Sequence, residues 1–182
     1  GQLVLVDNAE TPMFNLENEL LEHFAHAPVR TILADVTDQF RMDRIFRDYR
    51  PEFVFHAAAY KHVPLMERNP YEAIRVNVGG TTIMTNLAVK YDVEKFVMVS
   101  TDKAVNPTNV MGASKRTCEQ ILRSRANLGG NTTQFVITRF GNVLGSNGSV
   151  IPIFMKQIEE GGPVTVTHPD ITRYFMTIPE AC

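Results

Sequence analysis

The sequence predicts an α/β fold, a doubly wound parallel sheet with helices on both of its faces. Three observations predict it. Short apolar runs of strand length alternate with helix-length segments along the whole chain, the pattern of strand–helix–strand units. Turn and cap residues (Thr11-Pro12, Asp38, Asn69-Pro70, Asn106-Pro107) stand where one pattern gives way to the other. The polar triplet Thr101-Asp102-Lys103 follows directly on an apolar run, at the carboxyl end of a strand, where this class of fold carries its site residues.

Taken in order, Leu3–Val6 reads as a strand, and Thr11-Pro12 opens a helix as N-cap and first-turn proline. Val29–Ala34 is a second strand, followed by a helix from about Asp38 to Tyr49. Phe53–Ala57 is a third strand, and a long helix is expected from Asn69-Pro70 to about Tyr91. Phe96–Val99 is a buried strand bounded by a turn signal, and a helix near Asn109–Arg125 and a strand at Phe135–Arg139 come next. A helix from about Ser149 to Glu160 and a short strand at Val164–Thr167 follow. Gly161-Gly162-Pro163 is the expected boundary between a nucleotide-type fold over residues 1–160 and the beginning of a substrate-binding part over 161–182.

A chain of 182 residues is one domain's worth and can bury a sizeable core. A formal charge of −2 with no basic excess argues against nucleic acid or an anionic membrane as the main partner, so phosphate recognition should be local. Cys118 and Cys182 form no disulfide framework or zinc spacing, which fits a reducing cytoplasm and no metal site. No run reaches the roughly 18 apolar residues of a spanning helix, and no signal peptide is recognisable.

The stretch from Ser100 to Lys115 carries the most chemistry. A hydroxyl (Thr101), an acid (Asp102) and an amine (Lys103) end a strand, and Asn106-Pro107 then turns the chain into a helix. On that helix Met111 and Lys115 are four apart and share a face. An acid, a base and a hydroxyl facing a helical lysine form an arrangement for moving protons beside a cofactor.

This segment resembles the active-site region of extended short-chain dehydrogenases/reductases, and among them the nucleotide-sugar 4,6-dehydratases of capsule, O-antigen and protein-glycan biosynthesis. Members carry Thr-Asp-Lys after a strand and then a Tyr-x-x-x-Lys helix. In one membrane-anchored branch Met replaces the Tyr, as in Met111-Gly-Ala-Ser-Lys115 here. The resemblance continues through His56-Ala-Ala-Ala-Tyr-Lys-His-Val-Pro-Leu-Met-Glu67, Asn77-Val-Gly-Gly-Thr81, Arg139-Phe-Gly-Asn-Val-Leu-Gly-Ser-Asn-Gly-Ser149 and Asp170-Ile-Thr-Arg-Tyr-Phe-Met176.

The resemblance implies a Rossmann-like fold and this reaction: C4 of the sugar is oxidised with NAD as acceptor, C5 is deprotonated, the 6-hydroxyl leaves, and hydride returns to C6. By matched position Lys103 is the C5 base, Asp102 the C6 acid, Thr101 a hydrogen bond to O4, and Lys115 a ligand of the nicotinamide ribose. A lysine serves as base only if burial or a nearby cation lowers its pKa, and Lys115 is a candidate for that cation. Met111 cannot carry a proton as a phenol does, so another group must take the C4 hydroxyl proton, and Met111 is also expected to pack the helix face. Asp7 is expected on the adenosine ribose; Asn8, Ala9 and Glu10 supply no cation for a 2′-phosphate, which favours NAD over NADP. Asp35-Val36 would lie near the adenine, or simply lead a helix. Ala57, Ala58 and Ala59 let the backbone pass close to a flat ligand, and Lys61 and His62 reach towards substrate, though an exposed loop histidine is an equal reading for His62. Asn77 is expected to fix the active-site strand by a hydrogen bond. Arg139, Asn142 and Arg173 are expected substrate contacts, Asn142 in a loop suited to a diphosphate and Arg173 through its planar fork; a surface ion pair is the other reading of Arg173.

The expected activity is NAD-dependent dehydration of a UDP-N-acetylhexosamine, UDP-N-acetylglucosamine first, by a homo-oligomer in the cytoplasm. Any membrane link would come through segments outside this chain, making it the cytoplasmic part of an inner-membrane protein. A 4-epimerase or 4-reductase of the same fold is the enzymatic rival, and a non-catalytic nucleotide-binding or assembly domain the rival of another class. The family opens with a strand and a Gly-rich turn that nothing here matches. That strand would lie between Leu3–Val6 and Phe53–Ala57, and an ordered structure is expected to fill its place by another chain, by rearranged strands or by upstream residues. Because the pyrophosphate's turn is missing, calorimetric titration of the 182-residue chain with NAD should show no micromolar binding, and the chain alone should show no dehydratase activity; micromolar affinity would contradict this reading.

Overall fold

The structure, a computed structural model, describes residues 1–24, 26–145, 150–166, 168–170 and 172–181. The chain alternates as expected: β1 (Leu3–Asp7), α1 (Glu10–His23), β2 (Val29–Leu33), α2 (Gln39–Tyr49), β3 (Phe53–His56), α3 (Val63–Arg68), α4 (Pro70–Glu72), a π-helical stretch (Ala73–Gly79), α5 (Gly80–Lys90), β4 (Lys95–Thr101), a 3₁₀ turn (Asp102–Ala104), α6 (Val110–Ala126), β5 (Gln134–Phe140), β6 (Asn142–Val143), α7 (Val150–Glu159), β7 (Phe175–Met176) and α8 (Ile178–Ala181).

All strand pairs are parallel, in the orders β1-β2, β3-β4-β5 and β6-β7. Among the described residues β1 pairs only with β2 and β3 only with β4. Among the described residues no strand of this chain lies between β1 and β3, and each keeps an edge without a strand partner there. The halves are joined instead through side chains. Met42, Ile45 and Phe46 of α2 share one core with Met84 and Leu87 of α5, Phe96 and Met98 of β4, and Cys118 and Leu122 of α6. Val6, Ile32 and Val36 pack against that core from the β1–β2 side. Alternation along β3 turns Val54 and His56 into it and leaves Phe55 76% exposed on the other face.

Several local expectations are corrected. α1 starts at Glu10, not Thr11: Ala9 is its N-cap, and its N–H is taken by Asp7 Oδ1 at 2.8 Å. Asp38 caps α2 as expected, accepting from the Arg41 N–H. The long helix after Asn69 is broken into α4, a π-helical stretch and α5, and α3 precedes it without having been anticipated. No strand forms over the described residues 164–166; the short pair is β6 with β7 instead. That pair ties the segment after Gly161-Gly162-Pro163 back to the end of β5. Gly161 (φ 93°) and Gly162 (φ 74°) close α7, their N–H groups bonded to the Ile158 and Gln157 carbonyls. Ser149 and Thr167, at the ends of two expected elements, and Cys182 lie outside the described residues.

Candidate active site

β4 alternates its burial, so Phe96, Met98 and Ser100 face the helices and Thr101 falls on the other side as the strand ends. The chain then tightens into the 3₁₀ turn, with Thr101 Oγ1 accepting the Lys103 N–H at 3.3 Å. The Thr101 hydroxyl donates to Asp102 Oδ1 at 2.9 Å. Lys103 Nζ donates to the same Oδ1 at 2.9 Å and to Asn142 Oδ1 at 3.1 Å. Four residues expected at the site, Thr101, Asp102, Lys103 and Asn142, are thus in one hydrogen-bonded cluster. Partial burial would raise the Asp102 pKa, but hydrogen bonds from Lys103 and Thr101 outweigh it and hold the carboxyl below its usual value.

α6 faces this cluster. Asn109 caps it, with Oδ1 on the Gly112 N–H at 2.8 Å, and Glu67 Oε1 takes the Val110 N–H at 2.6 Å. Its first turn comes so close to the 3₁₀ turn that a Cβ on Gly112 would collide with the Lys103 carbonyl. Met111 is buried against Met66 and Ala73. Lys115 is 8% exposed, and among the described residues no hydrogen bond or ion pair to its Nζ is found. Burial lowers its pKa. A buried donor without a protein partner is costly and fits a hydroxyl-rich ligand such as a cofactor ribose. Burial first, and the Lys115 charge second, lower the His56 pKa to about 3, so the imidazole is neutral, 3.0 Å from Thr81 Oγ1.

Asp7 and Asp35 both stand at the carboxyl ends of their strands. Asp35 is the better held: Oδ1 accepts the Thr37 N–H and hydroxyl, each at 2.8 Å, and Oδ2 accepts Asn8 Nδ2 at 3.2 Å. The Thr37 N–H leads the bonds that lower its pKa against the opposing effect of burial. Val36 rests against Gly80, where an added Cβ would lie 2.8 Å from Val36 Cγ2. Ala57 is exposed and Ala58 and Ala59 half-buried in the segment after β3; Lys61 and His62 continue it at the surface. Asn77 holds this segment, not the active-site strand as expected. Its Oδ1 takes the Tyr60 N–H at 2.8 Å, while Nδ2 donates to the Tyr60 carbonyl at 3.1 Å and to Ser114 Oγ at 2.9 Å. The π-helical stretch that contains Asn77 is the local widening that puts it there.

Arg139 is where the structure departs most from the sequence reading. Its Nε and Nη2 are committed to Glu119 at 2.8 and 2.6 Å, so the fork meant for substrate grips a buried carboxylate. Arg173 is exposed, its Nη1 on the Thr172 carbonyl at 2.9 Å, two residues before the β7 strand that pairs beside Asn142. Residues 146–149 of the expected diphosphate loop lie outside the described residues. Sequence reasoning missed Ser100, Gly112 and Glu119. Only the i, i+4 spacing of Lys115 and Glu119 was visible, and that spacing reads as a solvated pair. An apolar hollow of about 320 Å³ lined by Leu3, Leu20, Phe24, Pro28 and Val29 lies at the other ends of β1 and β2, away from these groups.

Comparisons with known proteins find relatives over nearly the whole chain. The family described as "Polysaccharide biosynthesis protein" matches residues 1–182. The capsular polysaccharide biosynthesis protein CapD of Staphylococcus aureus is 51% identical over 181 residues, 99% of this chain and 30% of the relative. A UDP-N-acetylglucosamine 4,6-dehydratase (inverting) of Campylobacter jejuni is 39% identical over 162 residues, 88% of this chain and 48% of the relative. A UDP-glucose 4-epimerase of Rickettsia canadensis is 47% identical over 128 residues, 70% of this chain and 38% of the relative. The solved structure of Pen from Bacillus thuringiensis superposes with a TM-score of 0.90 at 35% identity, covering 99% of this chain and 56% of that one. The chain thus spans about a third to a half of the curated relatives it matches. Among the described residues no helix is long and apolar enough to cross a membrane.

The contact at Gly112 gives a direct test. Gly112→Ala gains up to about 1 kcal/mol of helix propensity but forces α6 off the Lys103 carbonyl, an overpacking cost of about 1–3 kcal/mol. A net loss of stability is expected in urea unfolding of the chain, and a midpoint raised above wild type would show that the contact is not tight.

Proposed function

The chain belongs to the polysaccharide biosynthesis protein family, with the fold of extended short-chain dehydrogenases/reductases, and we propose that its parent protein converts a UDP-N-acetylhexosamine, UDP-N-acetylglucosamine first, to the 4-keto-6-deoxy sugar. The observation that carries this reading is the Lys103–Asp102–Thr101 cluster at the end of β4, closed by Asn142. Dehydration across C5 and C6 needs a base and an acid side by side. Epimerisation at C4 needs neither at C5, so this pair favours the dehydratase over the epimerase reading.

NAD, held by Lys115 and the ends of β1 and β2, would supply the hydride acceptor and donor. The protein's own part is proton traffic. Lys103 Nζ and Asp102 Oδ1 share a proton along a 2.9 Å hydrogen bond. Moving that proton to Asp102 turns the ion pair into a neutral amine and a carboxylic acid in one step. Displacement of water by substrate favours the neutral form, because both members of this pair are only about a third exposed (28% and 34%). Lys103 then takes the C5 proton, and Asp102 gives its own to the departing 6-hydroxyl. Thr101 donates to the same carboxylate, and in this reading its hydroxyl holds O4. Met111 fills apolar space beside Met66 and takes no proton, so the C4 hydroxyl proton passes to solvent through a water held at Thr101, and the Lys103 amine stays free for the C5 proton. In this reading the parent works as a homo-oligomer in the cytoplasm, Arg173 grips phosphate oxygens of the substrate, and Lys61 reaches towards the substrate side of the nicotinamide-ribose pocket.

In the full-length parent, Lys103→Met should abolish dehydration and stop solvent exchange at C5. Asp102→Asn should slow loss of the 6-hydroxyl more than C4 oxidation. Each group is worth about 10²–10⁴-fold. Near-normal turnover by Lys103→Met, followed by mass spectrometry of the product, would overturn the assignment of the base.

A further inference from the structure

Glu119 is fully buried, and the proposed chemistry makes no use of it. Its carboxylate collects four donors. Oε1 accepts Ser100 Oγ and Arg139 Nε, both at 2.8 Å; Oε2 accepts Arg139 Nη2 at 2.6 Å and Arg116 Nη1 at 3.0 Å. Burial would raise its pKa, but the bonds from Arg139, Ser100 and Arg116 lower it to about 2. The donors come from three elements: Ser100 from β4, Arg139 from β5 and Arg116 from α6 itself.

Each of those elements carries a candidate site residue close by in sequence. Ser100 immediately precedes Thr101-Asp102-Lys103. Arg139 is three residues before Asn142, which receives Lys103 Nζ. Lys115 lies one helical turn before Glu119 on α6. Stability alone does not call for this arrangement, since well-packed apolar residues of similar volume are often as stabilising as a buried ion pair. Charge-assisted hydrogen bonds supply direction, which apolar packing does not. A carboxylate bonded to three elements fixes their mutual spacing.

We propose that Glu119 is a positioning residue, which sets the distance between the Lys103–Asp102 pair, Asn142 and Lys115 by joining β4, β5 and α6 from beneath. The proposal deepens the dehydratase reading and rests on it for the roles of those groups. A displacement of about 1 Å at reacting groups costs about 10²-fold in rate, so Glu119→Gln in the full-length parent should lower kcat about 10²-fold. KM for the nucleotide sugar should stay within about twofold of wild type. Ser100→Ala removes only the link to β4 and leaves both guanidinium pairs, so it serves where Glu119→Gln fails to fold; about a tenfold drop in kcat is expected from it. Amide hydrogen exchange gives a readout independent of turnover: protection should fall at 100–104 and 140–143 in Ser100→Ala, while the rest of β4 keeps its own. Unchanged kcat per folded site together with unchanged local exchange in Ser100→Ala would overturn the proposal and leave Glu119 a purely structural residue. Failure of the dehydratase reading would show separately, as a wild-type product whose mass has not fallen by one water. In that case kcat for the reaction observed and the exchange pattern still decide whether Glu119 positions the cluster.

Discussion

The first turn of α6 lies against the Asp102–Ala104 turn with no room for a side chain at Gly112, and the geometry of the candidate site follows from that contact. It fixes how far Met111 and Lys115 stand from Thr101, Asp102 and Lys103. The contact is kept by polar groups buried along the same seam: Ser100 with Glu119, Ser114 with Asn77, and the Cys118 thiol donating to the Asn77 carbonyl at 3.2 Å. Buried polar groups must each find a partner. A slide of α6 by one residue would leave several of them without one, so the joint has a single register. Lys115 is the exception, buried without a protein hydrogen bond among the described residues.

Much of this was legible in the sequence, for identifiable reasons. The runs around Val29, Phe53, Phe96 and Phe135 became strands because short apolar runs buried in a parallel sheet have few other options. Asp38 and Asn109 became N-caps because their side-chain oxygens reach a free N–H of the first turn. The cluster of Thr101, Asp102 and Lys103 is compact because the three are adjacent in sequence. What failed depended on distant contacts. Thr11-Pro12 is a good local start signal, but Asp7 capturing the Ala9 N–H begins the helix earlier. The residues from Pro70 to Lys90 look like one helix by pattern, yet the π-helical stretch is set by what Asn77 reaches, 17 residues back and 37 ahead. Arg139 reads as a substrate arginine until Glu119 is brought beneath it by the fold.

The two halves of the molecule divide the site. β3, β4, β5 and α6 hold the Thr101–Asp102–Lys103 cluster and Lys115, while β1 ends on Asp7 and Asp35 follows β2 by two residues. Among the described residues β1 and β3 each have one strand partner, so the relation between the halves rests on side chains: packing around Val6, Val36 and Gly80 and the Arg75 Nη1 bond to Thr37 Oγ1 at 3.0 Å. The half that carries the Thr101–Asp102–Lys103 cluster is the better braced, through three paired strands and the polar seam under α6.

The central claim is that an acid and a base side by side at the end of β4 remove water across C5 and C6 of a nucleotide sugar. It is tested most directly by incubating the full-length parent protein with UDP-N-acetylglucosamine in deuterium oxide and measuring product mass and labelling. The account predicts a product that has lost one water and gained one solvent deuterium at C5. A product of unchanged mass with inverted C4, carrying no deuterium, would contradict it.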